Sequence, residues 1–183
     1  PSAPDPGAVQ ITVLDVGQGL ALAIRTREHT VLYDLGPGFS ESFNAGSAVV
    51  LPFLRQAGID RVDLLILSNG DMDPQGGLPG VIDQVEIGSI LSGEPHRTGV
   101  GNSLCRAGMG WRWEGVDFTI LHPQQPGAWQ GNNSSCVLQV EVGGRRILIP
   151  GDIHKEVEAE LLQTGREQLR SDLVLVPHHG SRS

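Results

Sequence analysis

The run Val62-Asp63-Leu64-Leu65-Ile66-Leu67 is almost continuously apolar and of strand length. A strand with that composition is buried on both faces, so it predicts a sheet with helices packed over it. The run empties into residues 68–77, a loop dense in Asp and Gly. Further apolar, β-branched stretches at 9–16, 20–25, 30–34, 87–91, 117–121, 135–142, 146–149 and 172–176 read as strands. The first two, divided by Gly17-Gln18-Gly19, read as an opening hairpin. Between 47 and 57, Val50, Leu51, Phe53 and Leu54 have helical spacing and Gly58 supplies a stop, with Pro52 tolerated near the first turn. A short helix is expected at 78–85 and another at 154–162, with acids on one face. The alternation is that of an α/β chain in an αββα sandwich.

The 183 residues are enough for a single domain with a buried core. With 39% hydrophobic and 19% charged residues, 25 Gly and 12 Pro, the chain reads as loop-rich and globular, neither disordered nor fibrous. No stretch approaches the roughly 18 to 20 apolar residues that cross a bilayer. Residues 1–7 carry no initiator Met, basic n-region or apolar h-region, and read as a linker from a longer protein. The stop soon after His178-His179-Gly180-Ser181 reads as truncation or disorder beyond 183.

A net charge of −8 argues against broad attraction to phosphate backbones, because counterion release needs Lys and Arg. Any nucleic acid has to be gripped locally, for instance by a rim built from Arg97, Arg106, Arg112, Arg145, Arg146, Arg166, Arg170 and Arg182; the plainer reading is a solvated mixed-charge surface. Cys105 and Cys136 do not have the spacing of a Cys-x-x-Cys site. Spacing alone leaves a disulfide and two buried thiols equally open.

Acidic and imidazole residues recur where predicted strands end: Asp34, Asp71 with Asp73, Asp152 in Ile-Pro-Gly-Asp, and His178-His179 in Val-Pro-His-His-Gly. Loops at strand ends are free to carry polar groups while the strands stay rigid, so four separate segments can converge on one site. A single Asp after Gly is usually a turn residue or a helix cap; four such placements together point to chemistry. Trp111, Trp113 and Trp129 have faces that stack on unpaired bases, although a Trp-x-Trp pair in a strand more often turns one face into the core. His29, His96, His122 and His154 match no motif and read as surface or structural residues.

In order, Leu14-Asp15-Val16-Gly17-Gln18-Gly19, Tyr33-Asp34-Leu35-Gly36-Pro37, Asp71-Met72-Asp73 with Gly76-Gly77, Asn132-Asn133-Ser134-Ser135-Cys136, Pro150-Gly151-Asp152 and Pro177-His178-His179-Gly180-Ser181 resemble the successive motifs of the metallo-β-lactamase-like domain of ComEC-type DNA-uptake proteins. The stretch from Cys105 to Val116 is similar to proteobacterial members. The resemblance covers nearly the whole chain. It implies a metallo-β-lactamase-like αββα domain on the periplasmic, extracytoplasmic face of the inner membrane, joined to a transmembrane channel that imports single-stranded DNA. It also implies a nuclease role, degrading the strand that is not imported during natural transformation. An oxidising compartment of that kind favours a Cys105–Cys136 disulfide.

The family's metal motif looks like His-x-Asp-x-Asp-His, and this chain has Asn69-Gly70-Asp71-Met72-Asp73-Pro74 there. Two imidazoles are replaced. By resemblance, Asp71, Asp73, Asp152 and His179 hold metal, with His178 a close second that ligates or moves a proton. Asp73, Asp152 and His178 are the expected catalytic groups, and Asn133, Ser134 and Ser181 the substrate-binding ones. Three carboxylates with one or two imidazoles make an oxygen-rich set that suits Mn²⁺ or Mg²⁺ better than Zn²⁺, with one ion or none expected. Two rivals stand beside the nuclease: a catalytically impaired module that contacts DNA or the channel without cutting, and a hydrolase of another phosphoester or acyl substrate on the same fold.

Overall fold

The computed structural model describes residues 2–40, 43–71, 75–100 and 103–180, with the side chain of His179 excepted. One sheet contains β1 (Gln10–Val13), β2 (Ala21–Arg25), β3 (Thr30–Leu35), β4 (Arg61–Leu67), β5 (Glu86–Ser92) and β6 (Ser103–Leu104), hydrogen-bonded in chain order. β1 and β2 form the opening antiparallel hairpin, while β3, β4, β5 and β6 run parallel. β4, the apolar run, is flanked on both sides as its composition requires. The second sheet contains β7 (Gly110–Trp113), β8 (Val116–His122), β9 (Val137–Val142), β10 (Arg145–Ile149) and β11 (Leu173–Val174), in the order β11-β10-β9-β8-β7. It is antiparallel apart from the parallel β10–β11 pair.

The sheets stack face to face. Leu22, Ile24, Val31, Tyr33, Leu64 and Ile66 from the first meet Val116, Phe118, Ile120, Leu138, Val140 and Ile149 from the second. Each such side chain contributes on the order of 1.5–3 kcal/mol by leaving water. Side chains of opposite parity on the first sheet, among them Ala23, Leu32 and Leu65, pack on Val50 and Leu54. Those belong to a π-helical turn (Gly46–Val50) that runs into α1 (Leu51–Gln56), with Pro52 inside the first turn. On the far face of the second sheet, Leu121 and Val137 pack on Val157 and Leu161 of α3 (Lys155–Gly165), and α2 (Pro95–Thr98) is a single turn after β5. Helix, sheet, sheet and helix make the expected αββα order.

Two local readings change, at 78–85 and in the last strand, while Trp111 and Trp113 pack on the core as their alternation favours. The expected helix at 78–85 is only a 3-10 turn over Leu78–Gly80 followed by irregular turns. Here the chain lies directly on the backbone of its neighbours: a Cβ at Gly77 would collide with the Leu35 carbonyl, so the contact requires glycine. The last strand, expected over 172–176, is only the two residues of β11, an edge with one partner, and Leu173 and Val174 within it and Val176 beyond it are exposed. Trp111 and Trp113 belong to the core, Trp111 stacked on Phe118 at 5.1 Å and Trp113 on His29 at 4.5 Å, and His29 also bonds Glu114 at 2.7 Å.

Cys105 and Cys136 are joined in a disulfide with Cα atoms 5.7 Å apart across 31 residues of sequence. Cross-linking a loop of that length removes chain entropy from the unfolded state. Replacing both cysteines with Ala should lower unfolding free energy by about 3–4 kcal/mol in urea titrations, and an unchanged midpoint would show that the link carries no stability.

Candidate functional site

β3, β4 and β5 are parallel, so their C-terminal ends open on the same edge of the first sheet. In the second sheet β10 ends beside the start of β9, and β11 ends beside β10. The loops after β3, β4, β5, β10 and β11 and the turn before β9 therefore gather on one side. Cys136 at the head of β9 donates its amide to the Ser68 carbonyl at 2.9 Å, fastening the two sheets there.

Asp34 owes its position to a β-bulge. Ala21 pairs with Leu35 and Leu22 with Tyr33, leaving Asp34 as the extra residue, with φ of 56°. Left-handed backbone is costly for a residue with a Cβ and is tolerated best by Asp and Asn. The bulge sends the buried carboxylate to the amide of Ser68, which donates at 2.6 Å. Burial pushes the Asp34 carboxyl well above the ordinary range; the Ser68 amide opposes this and the negative charge of Asp152 adds to it. The Tyr33 phenol is raised by the same burial and by Asp34 and Asp152, and it donates to the Cys136 carbonyl at 2.6 Å.

Asn69, where the sequence resemblance predicts an imidazole, is fully buried. Its amide nitrogen donates to Ser135 Oγ at 3.1 Å and lies 3.4 Å from Asp152 Oδ2, and its Oδ1 accepts the Asp71 amide at 2.8 Å. Ser135 Oγ also accepts the Asp152 amide at 3.2 Å and donates to the Asn132 carbonyl at 2.7 Å. One donor and two acceptor positions are all a hydroxyl has, so Ser135 is saturated.

Glu94 follows β5 and is 1% exposed. Its Oε2 accepts the amides of Gly70 and Gly131 and the Arg97 guanidinium, each at 3.1 Å. Oε1 is buried with no partner among the described residues. Arg97 also reaches Asp71 Oδ1 at 3.0 Å, so a single carboxylate ties the loop after β4 to the turn before β9. On the other wall, Asn132 Nδ2 lies 3.1 Å from His154 Nε2 and 3.4 Å from His178 Nε2, and the two imidazoles are 5.0 Å apart.

Of the residues expected from sequence, Asp71, Asp152 and His178 lie on this edge. Asp73, Pro74 and Ser181 lie outside the described residues, as does the side chain of His179. Asn133 uses its Oδ1 on the His154 amide at 2.9 Å, and Ser134 donates to the Gly131 carbonyl at 2.6 Å. Among the described residues, no three His, Cys, Asp or Glu side chains are grouped as an ion's ligands. Five of the eight arginines of the supposed rim are paired with acids: Arg97 with Asp71 and Glu94, Arg112 with Asp117, Arg145 with Asp172, Arg146 with Glu141 and Arg170 with Glu167.

Sequence reasoning missed Glu94, Tyr33, the hub role of Ser135, and His154, read as surface or structural yet facing the cleft. Glu94 had a signal, since Gly93-Glu94 after the predicted strand 87–91 has the form that marked Asp152. A Cβ at Gly93 would collide with the carbonyls of Ser68 and Ser134, so glycine lets the three loops meet.

The family model described as the metallo-beta-lactamase superfamily matches residues 14–182. The chain is 34% identical over 183 residues to "Competence protein ComA" of Neisseria gonorrhoeae, covering 100% of this chain and 25% of that protein. It is 33% identical to "Recombination protein 2" of Haemophilus influenzae, covering 95% of this chain and 22% of that protein. The chain thus spans about a quarter of the length of these curated relatives. Among solved structures, a HARLDQ-motif mutant of the metallo-beta-lactamase from Cronobacter sakazakii superposes with a TM-score of 0.63 at 14% identity, over 96% of this chain and 79% of that one.

The raised Asp34 fixes the sign of a pH effect. The folded state holds that proton more tightly than the unfolded state, so its contribution is complete below about pH 4 and is lost as pH rises through the folded value. Asp34→Asn keeps an acceptor for Ser68 and cannot ionise. In EDTA, its stability by urea titration should match the parent at pH 4 and exceed it at pH 8; a parent that gains on the variant as pH rises would overturn this.

Proposed function

The chain belongs to the metallo-beta-lactamase superfamily, and on that premise we propose that it is the metal-dependent phosphodiesterase domain of a ComEC-type DNA-uptake protein. In this reading the domain degrades the strand that is not imported, at the extracytoplasmic face of the inner membrane, beside the transmembrane channel of its parent protein. What supports it is the meeting of Asp71, Asp152, His154 and His178 on one edge, together with 34% identity to a protein named for competence.

The donor chemistry of the cleft fits a hard divalent cation, with carboxylate oxygens from Asp71 and Asp152 and imidazole nitrogen from His178. Asp71, Asp73, Asp152 and His179 would hold it, an oxygen-rich set that favours Mn²⁺ over Zn²⁺. A cation there supplies a Lewis acid for a phosphoryl oxygen and lowers the pKa of water. The protein's own groups do the rest. Asn132 fixes the facing nitrogens of His154 and His178, which keeps an imidazole ready to take or give a proton at the leaving oxygen. Glu94 and Arg97 hold the Asp71 loop in place.

A second reading, a module that contacts DNA or the channel without cutting, also has specific support. The Asn69 amide nitrogen faces Asp152 where the sequence resemblance predicts an imidazole, and Arg97 already neutralises Asp71. Each carboxylate has a positively polarised partner before any cation arrives.

The readings separate in one assay with single-stranded DNA and Mn²⁺. The unaltered domain should cleave, and Asp152→Ala should lower the rate by more than about a hundredfold, since even outer-shell partners cost up to that much. Cleavage that begins only when Asn69→His and Pro74→His are combined would reject the first reading in favour of the second.

A further inference from the structure

Beyond the cleft, the loop after β8 and α3 form a separate pocket of about 320 Å³, lined by Gln124, Gln125, Ala128, Trp129 and Glu160. Trp129 is half-buried, like Trp111 and Trp113, but it rests on the Leu121 and Val157 cluster and not on the core between the sheets. It stands two residues before Gly131, whose amide is fixed on Glu94 at the cleft. α3 starts directly after His154, and Glu160 lies six residues along it, about 9 Å at the helical rise. The pocket and the cleft are thus joined by short stretches of chain, at Gly131 on one side and at the start of α3 on the other.

Its chemistry selects a base over a phosphate. None of the lining residues is a cation, and Glu160 would repel an anion. The Gln124 amide nitrogen is committed to the Leu121 carbonyl at 3.2 Å. Under Trp129, with ring centres 6.4 Å apart, lies the fully buried His122. Its Nε2 must donate to the Asn133 carbonyl at 2.9 Å, and burial, the largest influence on it, pushes the imidazole toward its neutral form. The remaining Nδ1 is then a lone pair, which no donor among the described residues meets. An aromatic wall beside the Glu160 carboxylate suits a flat heterocycle that brings N–H groups, since carboxylates accept from the amino group of cytosine in the same way.

We propose that the Trp129 pocket is a base subsite for single-stranded DNA that prefers bases with an exocyclic amino group over thymine. It rests on the reading of the domain as a nuclease-type module, and it assigns Trp129 to stacking and Glu160 to discrimination.

The test is the affinity of labelled hexamers of dC, dT and abasic sugar-phosphate for the whole domain, by fluorescence anisotropy without divalent cation, so that cleavage does not enter. The dC strand should bind about tenfold more tightly than the abasic strand, the scale of one base–aromatic stack, and more tightly than dT. Trp129→Ala should erase the advantage over the abasic strand, Trp129→Phe should keep most of it, and Glu160→Gln should erase the preference for dC over dT. Equal affinity for all three strands overturns the proposal, as does a folded Trp129→Ala with unaltered affinities. If Trp129→Ala does not fold, Glu160→Gln decides, and an undiminished dC preference in that variant is a negative result. A dC preference without cleavage in Mn²⁺ would defeat the nuclease reading and leave the pocket standing; cleavage without base preference would do the reverse.

Discussion

Ser68 is the joint on which the cleft hangs. Its amide is held by the Asp34 carboxylate and its carbonyl by the Cys136 amide, so the end of the central strand of one sheet is bound to the head of a strand in the other. Neither bond has competition from water, because Asp34, Ser68 and Cys136 are all buried. The loops carrying Asn69 to Asp71, Glu94, Asn132 and Asp152 are then placed by short chains of hydrogen bonds from that joint. Stacked sheets alone would leave these loops without a fixed relation to one another.

The electrostatics of this edge are unbalanced by design of the fold. Asp34, Glu94 and Asp152 are buried carboxyl groups, Asp34 pushed toward its neutral form by burial, and the Arg97 guanidinium is shared between Glu94 and Asp71. Dipoles do most of the compensation: the amides of Ser68, Gly70 and Gly131 and the side-chain amide of Asn69. A place where negative charge is gathered and held by neutral donors attracts a cation, and this is the strongest physical reason for expecting one here.

Much of this was legible in the sequence, and the limits were physical. The central strand declared itself because burial on both faces leaves no polar alternation, and Asp34, Asp71 and Asp152 because such placements, each ordinary alone, recur at several strand ends. Glu94 carried the same mark but sits before a helix of a single turn, too short to show a period. Ser135 was hidden within a turn-like run, since a hydroxyl that organises three neighbours looks the same in sequence as one that meets water. The tryptophans could not be sorted by alternation: Trp111 and Trp113 differ from Trp129 in what lies across from them, which depends on pairings far away in the chain. The resemblance named Asn69 as a replaced ligand, but only coordinates reveal that its amide has been absorbed into a hydrogen-bond network.

That network has a bearing on how the site can change over time. Because the Ser135 hydroxyl is fully subscribed to the Asn69 side chain and to the backbone of Asp152 and Asn132, a substitution at Ser135 or Asn69 leaves a buried partner unanswered. Their effects are therefore coupled instead of additive, and changing Asn69 alone to an imidazole would meet surroundings already adapted to an amide. An exchange at position 69 is therefore not a local event, and its cost is set by residues from two other segments of the chain.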